Sequence, residues 1–425
     1  MKYRKIVIPL ALIAAAGIFI LTGINTKWFA AMKRMAVSQK KIAEFELISP
    51  ESFRISPDSR QVAYAAKQGN RMFIRAGGSK GPLFDSIIRN TLAFSPDSRR
   101  IGYAAMKNGK AVVVVDGAQG AEYDDISYET PLFSPDSKRV SYTARKGNKW
   151  FVVTDGNESP SYDNVKNLVF SADSRHFAYL AEKGGKWVVV MDGNETAYYE
   201  GIGNLIFSPD SQGIAYAAVR NGSEIVAVVN GTAGPAYESM GNLSFSPDGK
   251  RFAYAAQKGG RYFVIVDGRE IPAYDGVGVD TPVFSPDSQR IAYMVMKGNK
   301  WIPVVDGKEG TVYDGFGNLG FSPDSRHAAF AAAKNNTQIV VVDGTEGKSY
   351  DVVGALTFSP DGSRVAYAAR KGDSFFVVSG KSEGPPYDAI VTGRGGKIVF
   401  DSPSRIHYLA MIRNSLYLVE DKAGN

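Results

Sequence analysis

Hydrophobic and polar positions recur along the chain in one repeated pattern. Each copy opens with a Ser-Pro-Asp turn and continues into an apolar run such as "IAYMVM". A Lys/Gly/Asn turn then leads into a second apolar run such as "WIPVV". Short runs rich in Ile, Val, Tyr and Trp, separated by Gly, Pro, Asn and Asp, are typical of strands joined by tight turns. The pattern therefore predicts an all-β chain.

The copies follow one another at a nearly constant spacing. The turn aspartates are Asp58, Asp97, Asp136, Asp173, Asp210, Asp248, Asp287, Asp324 and Asp361, and subtraction of neighbouring numbers gives a period of 37 to 39 residues. A degenerate tenth copy, "FDSPSRIHYLA", starts at Phe400. This period is close to the length of propeller repeats, and a motif that recurs at a fixed period reports architecture rather than chemistry.

One copy shows the expected anatomy of the repeat. Its apolar segments predict four strands, over residues 283–284, 290–296, 301–305 and 311–314. A four-stranded sheet repeated radially is a β-propeller blade. Pro303 lacks the N–H that a strand needs for its ladder, so we expect a bulge or weak outer pairing there.

The opening motif, "FSPDSQRIAY" in this copy, resembles the TolB-type, WD40-like (PD40) propeller repeats of bacteria. The resemblance spans nearly everything after residue 40. It implies a β-propeller and says little about activity, because the family includes scaffolds, binding modules and the non-catalytic propellers of some peptidases. The chain departs from TolB in lacking a separate N-terminal globular domain, and in its second motif, "VVVDGxxGxxYD", at residues 113–124 and 340–351.

The ends of the chain predict one closed propeller of about ten blades over residues 41–425. The last copy offers three strands and no fourth. Phe45 stands eleven residues before Ser56, as Tyr123 stands before Ser134, so we expect Phe45 and Glu46 to supply the missing outer strand. Such closure removes exposed sheet edges. Two smaller propellers are the alternative, but no linker interrupts the period.

The N-terminus predicts a membrane anchor. A basic tail, residues 1–5, precedes an apolar run at residues 6–24, which is long enough to span a bilayer. No A-x-A-like site follows, which favours an uncleaved signal anchor over a cleaved signal peptide, with residues 25–40 as a tether. Basic residues flank both sides of the run. The resemblance to TolB-type propellers implies a propeller on the periplasmic or extracytoplasmic side of a bacterial inner membrane.

Charge and composition exclude several classes of function. The net charge is +7, but residues 1–41 hold eight basic residues and no acidic one, so removing them leaves −1 for the propeller. We therefore expect no nucleic-acid partner. The absence of cysteine excludes disulfides, thiolate catalysis and Cys-ligated metals.

Enzyme and metal motifs have ordinary explanations in the repeat. Ser79 in "GGSKG" formally matches a nucleophile elbow but aligns with hairpin turns of other copies. His176 and His327 occupy a solvated slot after the opening turn. The turns at Asp155 and Asp192 lack the alternating oxygen ligands of a calcium loop. We predict no catalytic residue, metal site or cofactor, and no enzymatic activity.

A binding surface is the remaining prediction. The second turn of most copies is basic, which predicts a basic rim, and in four copies an aromatic residue follows the cation: Lys149 and Trp150, Lys186 and Trp187, Arg261 and Tyr262, Lys300 and Trp301. Such pairs suit a protein or an envelope polymer. One alternative is that the aromatic rings only pack between blades. Another is a propeller hydrolase with acids in a central channel, which the inner strands "NLVF", "NLIF" and "TPVF" disfavour because they offer no acid or base.

Overall fold

A computed structural model describes residues 38–44, 53–128, 130–271 and 273–422. Every regular element in these ranges is a strand. No helix in this part of the chain is long and apolar enough to cross a membrane. The predicted anchor at residues 6–24 and the predicted strand residues Phe45 and Glu46 lie outside the described residues.

The strands form ten antiparallel sheets, which we number as blades 1 to 10 in chain order. Blade 1 comprises β2 (Arg54–Ile55), β3 (Val62–Gln68), β4 (Arg71–Ala76) and β5 (Ser79–Lys80). Blade 2 comprises β6 (Ser86–Ile87), β7 (Ala93–Phe94), β8 (Ile101–Lys107), β9 (Lys110–Val115) and β10 (Ala118–Tyr123). Blade 3 comprises β11 (Asp125–Ile126), β12 (Leu132–Phe133), β13 (Val140–Lys146), β14 (Lys149–Thr154) and β15 (Asn157–Glu158).

Blade 4 comprises β16 (Asn164–Phe170), β17 (Phe177–Lys183), β18 (Lys186–Met191) and β19 (Asn194–Tyr199). Blade 5 comprises β20 (Gly201–Phe207), β21 (Ile214–Arg220), β22 (Glu224–Val229) and β23 (Thr232–Tyr237). Blade 6 comprises β24 (Ser239–Phe245), β25 (Phe252–Lys258), β26 (Arg261–Val266) and β27 (Arg269–Glu270). Blade 7 comprises β28 (Gly276–Val277), β29 (Val283–Phe284), β30 (Ile291–Lys297), β31 (Lys300–Val305) and β32 (Lys308–Glu309).

Blade 8 comprises β33 (Gly315–Phe321), β34 (Ala328–Lys334), β35 (Thr337–Val342) and β36 (Thr345–Glu346). Blade 9 comprises β37 (Val352–Phe358), β38 (Val365–Lys371), β39 (Ser374–Ser379) and β40 (Ser382–Glu383). Blade 10 comprises β41 (Ala389–Ile390), β42 (Val399–Ser402), β43 (Arg405–Ile412) and β44 (Ser415–Lys422). In the strand order of blade 10, β1 (Ser38–Glu44) lies next to β44.

The fold is a ten-bladed, all-β propeller, as the repeat count predicts. Consecutive strands are neighbours in blades 1, 4, 5, 6, 8 and 9, as in the order β16-β17-β18-β19 of blade 4, whereas in blades 2, 3, 7 and 10 the first two strands both pair with the third. The chain divides into two compact units: Ile42–Gln289, and Arg290–Asn425 together with Met1–Lys41. The first contains blades 1 to 6 and the second contains blades 8 to 10.

The outer strand of blade 7 is shorter than predicted, whereas those of blades 2, 4 and 5 reach the tyrosine. In blade 7 it covers Lys308–Glu309, not residues 311–314, and Tyr313 forms only an isolated bridge with Trp301. The outer pairing is interrupted at Pro303, as predicted, because Gly310 N–H donates to the Pro303 carbonyl at 2.8 Å and bends the chain. On the inner side Pro303 keeps its regular place opposite Met294.

The same interruption occurs without proline, so it belongs to the repeat. In blade 3 the equivalent residue is Val152, whose carbonyl accepts a bond from Ser159 N–H at 2.8 Å. Its own N–H donates to Ser159 Oγ at 3.0 Å instead of to a backbone carbonyl. Proline is tolerated at this position because the ladder does not use the missing donor.

The first strands of blades 4, 5, 6, 8 and 9 cover seven residues and are longer than predicted, and one expectation about the inner strands is wrong. The chain joins the next blade soon after its Tyr-Asp pair. The first strand of blade 3 therefore begins with Asp125, and that of blade 4 carries an exposed Lys166. The inner strands thus do include an acid and a base.

Apolar second strands form the core, as their sequence predicts. In β17 the first five residues are buried, and Leu180 has no exposed surface. It belongs to a cluster that joins blade 4 to Ile202 and Tyr216 of blade 5. Burial on both faces of a strand is what a sheet between two neighbouring sheets requires.

The Ser-Pro-Asp-Ser turn is closed by its own side chains. In blade 2, Ser95 Oγ donates to Asp97 Oδ1 at 2.5 Å, and Arg99 N–H donates to the same oxygen at 3.1 Å. These bonds hold the pKa of the Asp97 carboxyl below its usual range. The prediction that these aspartates accept hydrogen bonds within their turns is confirmed.

The same turn also joins neighbouring blades. Asp97 N–H donates to Ser137 Oγ of blade 3 at 3.0 Å. Equivalent bonds join Asp58 to Ser98, Asp136 to Ser174, Asp173 to Ser211 and Asp248 to Ser288. The repeated motif therefore both shapes each blade and ties it to the next one along the chain.

Candidate functional site

The four predicted cation–aromatic pairs occupy one equivalent position in blades 3, 4, 6 and 7. Each pair begins the third strand of its blade, at the start of β14, β18, β26 and β31. The cation is exposed and the aromatic residue half-buried in all four. Among the described residues, no hydrogen bond, ion pair or ring contact joins one pair to another. The structure thus gives four separate sites of the same local design.

Most of the predicted cations are ion-paired within their own repeat. Lys149 Nζ lies 2.5 Å from Asp163 Oδ1, and the other oxygen of Asp163 accepts a bond from Gly184 N–H of blade 4 at 2.8 Å. These two bonds hold the pKa of Asp163 below its usual range. Lys186 has no ion pair within the described residues. The other two pairs are Arg261 with Asp275, at 3.8 Å, and Lys300 with Asp314.

The ion pairs correct the predicted basic rim. The Asp of each Tyr-Asp pair lies beside the second turn, so positive and negative charges are interleaved there. Sequence reasoning missed this arrangement because the two groups of each pair stand fourteen residues apart, on different segments of the repeat. The signal was present in the constant spacing between the turn cation and the following Tyr-Asp pair.

The aromatic residues contact the next blade and also keep part of their surface exposed. Trp187 packs against the cluster that includes Ile202 of blade 5, and Lys166 Nζ lies 4.0 Å from the centroid of its ring. The rings of Trp301 and Phe316 lie 4.7 Å apart. Packing between blades is therefore real. It uses only part of each ring surface.

Tyr262 lines an open cleft. We call this space, of about 210 Å³, the Tyr262 cleft. One wall is formed by β24 of blade 6 and Ala255 and Ala256 of β25, and the other by Val277 to Thr281. Asn242 Nδ2 donates to Asp280 Oδ1 at 2.8 Å and so connects the two walls.

A short loop supplies the second wall of the Tyr262 cleft. Thr281 Oγ1 donates to the Gly278 carbonyl at 2.8 Å, which projects Val279 and Asp280 outward, and Val279 is 71% exposed. Blades 2 and 3 contain the same loop, closed by Thr91 and Thr130. Sequence reasoning missed these loops. The signal was the period, which is 39 residues for the copies that contain them and 37 or 38 for most others.

The remaining sequence candidates have structural roles. Ser79 pairs with Ala76 across a hairpin turn, as predicted. His176 Nδ1 lies 2.7 Å from Asp192 Oδ2, so this histidine is paired rather than free in solvent, because it replaces the arginine that contacts the equivalent aspartate in other blades. His327 pairs with Asp343 in the same way, at 2.6 Å.

The described residues contain no group of three or more His, Cys, Asp or Glu side chains placed to hold a metal ion. His407 is buried in β43, and its Nδ1 lies 2.9 Å from Asp401 Oδ2. The Asp155 turn is a hairpin in which Asp155 and Gly156 both have positive φ, as expected of a two-residue connection.

Comparison with known proteins shows similarity to solved structures. No protein-family model matches the sequence, and no curated protein matches it either. A eukaryotic initiation factor is 14% identical, with a TM-score of 0.47 over 85% of this chain and 98% of that chain. TolB from Acinetobacter baumannii is 16% identical, with a TM-score of 0.29 over 62% of this chain and 80% of that chain.

The β-propeller domain of the Trilobed protease from Pyrococcus furiosus is 12% identical to the chain. Its TM-score is 0.31 over 63% of this chain and 96% of that chain. At these identities the likeness concerns the fold alone.

Proposed function

We propose that the protein is a membrane-tethered binding or scaffolding propeller rather than an enzyme. It stands on the extracytoplasmic side of a bacterial inner membrane and binds a protein or an envelope polymer. The observation that carries the proposal is the recurrence, in four blades, of an exposed cation beside a half-buried aromatic residue. The ring supplies apolar contact area and the cation supplies attraction, and Trp, Tyr and Arg are enriched among binding hot spots.

The packing of the blades does not by itself require these aromatic residues. In the other blades the equivalent position holds Met72, Ala111, Ile225, Gln338, Phe375 or Leu416. Side chains of such different size and polarity fill the same slot. The presence of Trp or Tyr in four blades therefore supports a role beyond packing.

The anchor and the closure of the propeller belong to the same proposal. Residues 6–24 would span the membrane, and the N-terminal strand would complete blade 10. The place of β1 beside β44 supports this, as does the bond from Gln39 Nε2 to the Tyr387 hydroxyl at 3.3 Å. The tether predicted at residues 25–40 overlaps β1, which begins at Ser38, so residues 25–37 would remain as the tether and extend at most about 45 Å, which keeps the propeller near the bilayer.

Fractionation of cells that produce the full chain tests the membrane part of the proposal. The intact protein should sediment with membranes and resist extraction with high salt. Protease added from the extracytoplasmic side should digest the propeller. A soluble protein whose N-terminus lies beyond residue 24, or a propeller protected inside the cell, would contradict it.

Capture by the full-length protein in its own membranes tests the binding part. Cross-linking followed by affinity purification should recover a protein or polymer whose yield saturates and falls when excess unlabelled propeller protein is added. Absence of any saturable, competed component over a range of salt concentrations would overturn the binding function. Conversion of a supplied glycan or lactone by the purified protein would support the hydrolase alternative instead.

A further inference from the structure

We propose that the Tyr262 cleft receives one basic side chain, lysine or arginine, from a partner protein. This inference rests on the proposed binding function and specifies the chemistry of one contact. The inference does not require that all four cation–aromatic pairs bind a partner, because the residues that form the cleft have no counterpart beside the other three pairs.

The charge of the cleft selects a cation. Asp280 carries the only formal charge among its lining residues, all of which the structure describes. Its Oδ1 accepts the bond from Asn242, which fixes the carboxylate, whereas Oδ2 has no hydrogen-bond or ion-pair partner among the described residues. A carboxylate held in this way can accept a charge-assisted hydrogen bond from an ammonium or guanidinium group.

Among the described residues, no Lys or Arg of the chain itself bonds to the carboxylate of Asp280. The nearest cation in sequence to the cleft wall is Arg261, and within the described part of the chain it makes no hydrogen bond or ion pair with Asp280. Its guanidinium donates to the Ala273 carbonyl at 3.0 Å and lies 3.8 Å from Asp275. The carboxylate of Asp280 is therefore left for a ligand.

The walls of the cleft suit the stem of a basic side chain. Met240, Ala255, Ala256 and Val277 offer apolar surface, against which the methylene groups of lysine or arginine can pack while the charged end stays hydrated. The half-buried ring of Tyr262 adds a π-face that attracts a cation. Lys166 above Trp187 in blade 4 is an example of the same contact within this chain.

The size of the cleft favours a side chain over a larger ligand. Its volume of about 210 Å³ is below the roughly 300–1,000 Å³ of sites that bury a drug-sized molecule. The exposed Val279 at its rim offers additional apolar contact to the flanking residues of a peptide. The occupant is thus one side chain presented by a protein surface or an extended segment.

A pair of peptides tests the inference on the full-length protein in detergent micelles. The probes are acetyl-Gly-Arg-Gly-amide and its citrulline analogue, which has nearly the same shape but no charge. The chain is labelled with ¹³C in the methyl groups of its ten methionines, and Met240 is assigned by Met240→Leu. The Met240 methyl resonance should shift in a saturable manner with the arginine peptide, while that of the fully buried Met294 should not.

Variants separate charge recognition from general contact. Asp280→Asn should weaken binding of the arginine peptide by about two- to fivefold, the upper part of the range for losing one exposed ion pair, and should abolish the preference for arginine over citrulline. Asparagine tolerates the left-handed backbone of Asp280, whose φ is 61°, so the loop should keep its shape. Glu224→Gln removes one exposed charge of blade 5 outside the cleft and should leave the affinity unchanged.

Three outcomes would overturn the inference. These are equal affinity for the two peptides, equal affinity of Asp280→Asn and the wild type for arginine, and no shift of Met240 with either peptide. None of these results affects saturable capture from the membrane, so failure of the cleft and failure of the proposed binding function are distinguished. Tyr262→Leu provides a second check, because it should weaken the arginine peptide more than the citrulline peptide.

Discussion

The backbone N–H of Asp136 in blade 3 donates a hydrogen bond of 3.0 Å to Ser174 Oγ in blade 4. Both residues belong to the repeated turn motif, and Ser174 is buried with a positive φ of 63°. The bond explains why a serine ends the motif in most copies. Its hydroxyl lies where the preceding blade presents an unpaired backbone donor.

Replacing this serine should weaken the contact between the two blades. Ser174→Ala leaves Asp136 N–H without its partner and keeps a Cβ at a positive φ. We expect a loss of about 1–2 kcal/mol in the free energy of unfolding, measured by urea denaturation. Ser174→Gly loses the same bond but fits the backbone, so its loss should be smaller. Equal stability of Ser174→Ala and the wild type would show that the bond is dispensable.

Acid should weaken the contact made by Asp163. Its pKa is depressed in the folded state by Lys149 and by Gly184 N–H, so its contribution to stability is present above the unfolded pKa of about 3.9 and is lost as pH falls through the lower folded value. Asp163→Asn should therefore be less stable than the wild type at neutral pH. The difference should shrink below about pH 4.

Thermal unfolding of both proteins between neutral pH and about pH 3 measures this convergence. Lys149→Met serves as the matched variant because it removes the ion pair and leaves the bond from Gly184 N–H. Its pH dependence should lie between those of the wild type and Asp163→Asn. A stability difference between the wild type and Asp163→Asn that stays constant down to pH 3 would mean that the pKa of Asp163 is not depressed.

Loss of the N-terminal strand should destabilise blade 10. Replacing Ser38–Glu44 in the full chain with a Gly/Ser sequence of equal length removes the neighbour of β44 and exposes a sheet edge. We expect a loss of about 2 kcal/mol or more, together with greater aggregation. The same Gly/Ser sequence placed at residues 26–32 is the control and should leave melting unchanged. Identical melting of the two variants would contradict closure by this strand.

The repeat predicts the fold in detail because its period and turn residues are local signals. Pro and Asp fix the opening turn, and the apolar run of β17 reports burial on both faces. The outer strands were misplaced because their boundary depends on where the chain leaves one blade for the next. Tertiary contacts decide whether a segment pairs with its own blade or with the next one. No single copy of the repeat shows it.

The candidate site was predicted only in part, and for a related reason. The sequence shows that Lys149 precedes Trp150, but not that Asp163 lies beside Lys149. It also conceals the Tyr262 cleft, since Asn242 and Asp280 are brought together by two different repeats. Contacts within a hairpin follow from spacing. Contacts between blades require the fold.

Charge reversal at the four cation–aromatic pairs tests most directly whether they form the binding surface. Lys149, Lys186, Arg261 and Lys300 are changed together to Glu. The matched control changes four other second-turn lysines, Lys67, Lys107, Lys258 and Lys371, to Glu and so alters the net charge equally. Both variants should remain folded in thermal melting, although the first loses the ion pairs of Lys149, Arg261 and Lys300, because exposed ion pairs contribute only about 0–1 kcal/mol each.

The deciding measurement is the yield of the saturable component captured by each full-length protein, at low and at high salt. The first variant should lose the salt-sensitive part of this capture, because the attraction between exposed charges is screened by salt and reversed by the substitutions. The control should capture nearly as much as the wild type. Unchanged capture by the first variant, or equal loss in both, would contradict a binding role for these four pairs.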